Sequence, residues 1–193
     1  MFIVHSYLLA VVFCFITMLC WGSWGNTQKL AGKTWRYELF YWDYVIGMVL
    51  FALMLGLTMG SIGSEGRPFV EDLMQADGRG ILSVLIGGVI FNASNILLSA
   101  SVSLAGMSVA FPLGVGLALV LGVIINYMGA PKGDPTLLFI GVALVVVAII
   151  CNGIASGRMS KSGEASSSAR KGIILSMVAG VLMSFFYRFV AAA

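Results

Sequence analysis

The chain has 193 residues, of which 60% are hydrophobic and only 10% charged. Soluble domains carry about 25% charged residues, so this chain has too little polar surface to coat a water-soluble globule. Its net charge of +3 is small and scattered, which gives no footing for a nucleic-acid partner. The short alternating segments of a β-barrel are absent, so the expected class is an all-α, polytopic membrane helix bundle.

The amino terminus lacks the basic n-region and small-residue exit of a signal peptide, and reads as an uncleaved first span over about Ser6 to Trp24. Thr17, Trp21, Trp24 and Gln28 share a helical face there. That face reads either as an aromatic platform with a polar tip, with Trp21 and Thr17 contacting a solute, or as an interfacial tryptophan anchor. A loop from Asn26 to Glu38 follows, and a second span from about Trp42 to Gly60. The start of that span is dense in aromatics, Tyr37 to Tyr44, as at a headgroup boundary. Asp43 lies within it and reads either as a solvated carboxylate or as a proton or cation relay. The polar loop Ser61 to Arg79 contains Phe69, Val70, Leu73 and Met74, spaced for a short helix lying on the membrane surface.

Gly80 to Tyr127 contains no Asp, Glu, Lys or Arg. One crossing needs about 20 apolar residues, so this stretch suits two, turning at Leu104-Ala105-Gly106. In its first half Gly88, Asn92, Asn95, Ser99 and Ser103 fall on one helical face. Amides tolerate hydrocarbon only when turned toward protein or a wet cavity. The face therefore reads as a hydrogen-bonding wall for a polar solute, or as glue between helices worth about 0.6 to 2 kcal/mol per bond. Asparagine favours the first reading, because serine satisfies itself on its own helix more easily. In the second half Gly114, Ala118 and Gly122 form a small-xxx-small packing ridge, and Pro112 sits near the start.

A turn at Gly129 to Pro135 leads to a fifth span, about Thr136 to Ala155. A Ser- and Lys-rich linker, Gly157 to Lys171, precedes a sixth span from Gly172, which carries Arg188. At 1.5 Å per residue Arg188 lies roughly 25 Å along it, near the far boundary if the helix continues past Ala193. The organisation expected is a five-helix repeat over 1–156, a polar linker over 157–171 and a sixth helix over 172–193 that opens a second repeat. Leu8 to Gly25 and Ile174 to Ala191 are similar apolar runs ending in aromatics, and an odd-numbered repeat inserts its second copy inverted. Lys29, Lys33, Arg36, Arg158, Lys161, Arg170 and Lys171 fall on one side, against Arg67, Arg79 and Lys132 on the other. The first side is expected to be cytoplasmic, the amino terminus outside, and the host the plasma (inner) membrane.

Cys14, Cys20 and Cys151 sit in apolar runs and suit helix packing, with no metal spacing and no disulfide framework. Gly32-Lys33-Thr34 lacks the glycine and the strand of a phosphate-binding loop. No catalytic constellation or cofactor motif appears, and no enzyme is expected.

Trp21-Gly22-Ser23-Trp24, Tyr41-Trp42-Asp43-Tyr44, Gly60-Ser61-Ile62-Gly63, Gly106-Met107-Ser108-Val109 and Asn126-Tyr127, with Asn95 before a small-residue run, resemble the ureide permeases. Those belong to the drug/metabolite transporter superfamily, near the glucose/ribose and rhamnose porters; Pro112 looks more like the wider superfamily. The resemblance implies ten helices in two inverted five-helix repeats, of which this chain looks like the amino-terminal half, and transport coupled to protons or sodium. The expected function is secondary transport of a small polar metabolite, a sugar or a nitrogenous heterocycle. The expected site is Asn92, Asn95, Ser99, Trp21 and Thr17, with Asp43 as the coupling residue. Expected partners are the solute, the coupling ion, the lipid bilayer, and a second repeat or second copy of the chain. A multidrug exporter and a non-transporting membrane scaffold are the rival readings.

Overall fold

The computed structural model describes residues 2–32, 34–63, 65–131, 133–159 and 167–193. Lys33, Lys132 and Lys161 of the sidedness argument, and 160–166 of the linker, lie outside the described residues. Seven α-helices follow in order: α1 (Tyr7–Ala31), α2 (Tyr37–Leu57), α3 (Phe69–Gln75), α4 (Gly78–Ala105), α5 (Met107–Gly129), α6 (Pro135–Met159) and α7 (Ser167–Ala191). All but α3 are long and apolar enough to cross a membrane. An apolar chain in lipid must satisfy every backbone polar group within itself, and helices do so segment by segment.

The expected elements are all present, but their ends differ. α1 runs on to Ala31, beyond Trp24, because polar side chains bond the helix's own carbonyls. Asn26 Nδ2 donates to Gly22 O and Thr27 Oγ1 donates to Ser23 O. α2 starts at Tyr37, with Glu38 in its first turn, where a carboxylate complements the helix's positive end. α3 is the short helix read from Phe69 to Met74. The α4–α5 turn falls at Gly106, whose φ of +80° lies in the left-handed region that glycine adopts without a Cβ penalty. Asp134 Oδ1 accepts from Thr136 N at 2.7 Å and Leu137 N at 3.3 Å, capping α6 just ahead of Pro135.

The chain divides into two compact units, Met1–Gly78 and Arg79–Ala193. In the first, Phe2 N donates to Met59 O at 2.7 Å and Phe69 N to Gly60 O at 3.1 Å, tying both ends of the α2–α3 loop. Gly56 gives room to the Phe69 ring, since a Cβ there would lie 3.2 Å from it. Trp24, Tyr44 and Tyr41 form an aromatic cluster between α1 and α2, with ring centroids 5.7 and 5.9 Å apart.

The second unit is built around α7. Its buried residues are Gly172, Ser176, Ala179, Gly180, Met183 and Ser184, all small but one. Ser83 Oγ donates to Phe189 O, Ser94 Oγ to Ala179 O and Ser101 Oγ to Gly172 O, at 2.6 to 2.7 Å. Rising numbers on α4 meet falling numbers on α7, so these helices are antiparallel. Against α5 the order is parallel: Ser176 Oγ donates to Ala110 O at 2.6 Å, and Gly180 faces Gly114 and Ala118. A Cβ at Gly180 would come within 2.6 Å of Gly114 O, so the two backbones are in direct contact. Ala110, Gly114, Ala118 and Gly122 on α5 thus interlock with Ser176, Gly180 and Ser184 on α7, both ridges stepping by four, while Gly172 abuts Ala105 at the end of α4. Parallel α5 and α7 require α6 to carry the chain back between them. α6 itself contributes no buried residue among those described.

Candidate functional site

The polar face of α4 is split. Asn95 and Ser99 are buried, at 3% and 0% exposure, whereas Asn92 and Ser103 are exposed. Asn92 Nδ2 donates to Gly88 O at 3.2 Å and Ser103 Oγ to Ala100 O at 2.8 Å, both within their own helix. Ser83, Ser94 and Ser101, on the adjoining face, are committed to α7 carbonyls. Asn95 is different, because its Nδ2 is buried with no hydrogen-bond partner among the described residues. An unsatisfied buried amide donor costs about 1 to 3 kcal/mol, and such a group calls for a ligand, a water or a strain role.

In the first unit, Thr17 is exposed and its Oγ1 donates to Phe13 O at 2.9 Å, while Trp21 is half-buried. Asp43 is exposed on α2, next to the Tyr44 of the aromatic cluster. Gln28 and Tyr41 are buried, at 4% and 7% exposure, so the polar tip read from sequence is enclosed in protein. Of the Tyr37–Tyr44 aromatics, Trp42 stays exposed, while Tyr41 and Tyr44 pack on each other and, through Tyr44, on Trp24. Their spacing of three residues, on one helical face, is the signal for that. No group of three or more metal-ligating side chains occurs among the described residues.

The model of the ureide permease family matches residues 40–170, about two thirds of the chain. This chain belongs to the ureide permease family. Family membership and six spanning-length helices together make it an integral membrane protein. It is 25% identical to ureide permease 1 of Arabidopsis thaliana over 77% of its own length and 39% of that relative's. To ureide permease 2 of the same plant it is 28% identical, over 82% of this chain and 41% of the relative. To ureide permease 3 it is 23% identical, over 88% and 49%. The chain therefore spans less than half the length of the curated relatives it matches. No solved structure matches it. The family match takes in α4 and α5 whole, and so Asn92, Asn95 and Ser99, but it starts after Thr17 and Trp21.

Proposed function

We propose that this chain builds part of the pathway of a secondary transporter for a small, polar, nitrogen-containing solute. Family membership supports the transporter class, and the relatives' names point to ureides. Such urea-derived solutes are rich in N–H donors and carbonyl acceptors. The single observation that carries the site is the buried, unpartnered Nδ2 of Asn95. It offers a fixed donor to a solute carbonyl, with Ser99 one turn further along the same face of α4. Asn92, exposed on α4, is the further proposed contact in the second unit. In the first unit Thr17 and Trp21 on α1 are proposed as solute contacts in their own right. Asp43 is the proposed coupling carboxylate for a proton or sodium ion. The wider proposal includes a drug/metabolite transporter architecture of inverted five-helix repeats, completed by a second repeat or a second copy, with the amino terminus outside the plasma membrane. A sugar is the alternative solute, since hydroxyls also present acceptors to an amide.

The test is gradient-driven uptake into proteoliposomes, comparing a ureide, a nucleobase and a hexose, with Asn95→Ala alongside the unchanged protein. Saturable ureide or nucleobase uptake that Asn95→Ala weakens supports the proposal. Uptake unaffected by Asn95→Ala removes the site, and no flux of any solute favours the scaffold reading, which the α4–α7 and α5–α7 ties support.

A further inference from the structure

Independently of the solute pathway, we propose that the groove between the C-terminal ends of α5 and α7 binds an anionic phospholipid, with Arg188 taking the headgroup phosphate. The groove has a volume of about 700 Å³ and lies wholly within the second unit. Gly122, Val123 and Leu138 give it an apolar floor, and Tyr127, Tyr187 and Arg188 stand at its rim. Arg188 is in the last turn of α7. Its guanidinium makes no ion pair or hydrogen bond among the described residues. The missing side chain of Gly129 makes room for the guanidinium, since a Cβ there would lie 3.2 Å from Arg188 Nη1. The side-chain amide in the groove's lining already donates within its own helix, from Asn126 Nδ2 to Gly122 O at 2.8 Å.

These features fit a lipid better than a free anion. Beside Gly129, where α5 ends in a turn, a guanidinium reaches the headgroup level, where tyrosines also settle. Its planar fork matches phosphate oxygens in pairs. A soluble anion meets only the rim, whereas a phospholipid also lays an acyl chain along the floor. Bulk lipid tails are as apolar as that floor, so the floor supplies shape and the charge supplies the discrimination.

The test is native mass spectrometry of the purified protein released from micelles containing equal phosphatidylglycerol and phosphatidylcholine. The expected result is roughly fivefold preferential retention of phosphatidylglycerol, the ~1 kcal/mol of one basic side chain near an anionic surface. Arg188→Gln abolishes the preference, Arg188→Lys keeps part of it, and Ala191→Trp, which fills the groove but leaves the charge, abolishes it too. Arg170→Gln, at the other end of α7, leaves it unchanged. Helical content and melting of each variant are followed by circular dichroism, so that lost binding is read only on folded protein. The proposal is overturned if the unchanged protein shows no preference, if Arg188→Gln or Ala191→Trp retains it, or if Arg170→Gln removes it equally. Displacement of the lipid by millimolar inorganic phosphate also overturns it, in favour of a free-anion site.

Discussion

Two asparagines three positions apart on α4 carry opposite fates. Asn92 turns its amide back onto Gly88 O, one helical turn away, and is exposed. Asn95 is enclosed with its Nδ2 unspent. A neutral hydrogen bond is worth about 0.5 to 1.5 kcal/mol, so Asn95→Ala is expected to raise the uptake KM up to roughly tenfold, and Asn92→Ala to change it less. Initial-rate uptake over a range of solute concentrations checks this. The neighbouring serines behave otherwise. Ser94→Ala and Ser101→Ala each remove one tie from α4 to an α7 carbonyl, and each should lower stability by about 0.6 to 1.7 kcal/mol without changing KM. Reversible unfolding in mixed micelles measures the first, and the same uptake assay the second. The sequence showed that polar groups sit in this span. It did not show which were glue: at 100° per residue Ser94 and Ser101 lie about 100° to 120° from Asn95, and only the place of α7 tells which of the two faces is packed.

At the level of the helix, the α5–α7 seam is legible in hindsight. The α5 ridge was plain in Gly114, Ala118 and Gly122, but its complement at Ser176, Gly180 and Ser184 lies just past a polar linker. The small residues there read as the opening of a new repeat, not as a surface cut to fit α5. Gly180 is the tightest point. A methyl group there meets the backbone oxygen of Gly114 at 2.6 Å, which no rotamer change relieves. Gly180→Ala is therefore expected to cost about 1 to 3 kcal/mol, the range for overpacked cores, while Gly141→Ala on α6, where a Cβ meets nothing within 4 Å, should be nearly silent. Thermal melting of the two variants in one detergent decides it. Helix ends were the weakest part of the sequence reading for a related reason: Asn26 and Thr27 look like loop residues until their side chains are seen bonding back to α1.

For the molecule as a whole, composition decided the class before any motif did. Large apolar side chains such as Phe15, Leu50, Val89, Leu144 and Ile174 stay exposed on the spanning helices, which suits a surface solvated by lipid. The order of crossings sets sidedness. With α3 too short to cross, residues on the α2–α3 loop and at the start of α7 lie on opposite sides if all five preceding long helices span. A cysteine at Glu65 and one at Ser168, each in a protein whose three native cysteines are alanine, should be labelled by a membrane-impermeant maleimide from opposite faces, with Glu65→Cys reactive from outside. Labelling of both from one face would remove the proposed topology. What sequence did not convey at this scale was the division at Gly78, because the Ser61–Arg79 loop, with six charged residues against five in the Gly157–Lys171 linker, reads as one more polar connection.

The hydroxyl-to-carbonyl ties from α4 and the seam with α5 have one last consequence. A helix held by single side-chain contacts can slide past its neighbour a notch at a time. α7 is gripped instead through its own main chain: Gly172, Ala179 and Phe189 give up carbonyl oxygens to α4, and the Gly180 backbone abuts that of Gly114. Sliding by one notch would strand three hydroxyls in hydrocarbon at once. During any opening and shutting of a passage, α4, α5 and α7 must then swing as a single rigid blade, and the give in the machine has to come from elsewhere, with α6 the loosest hinge leaf in that unit.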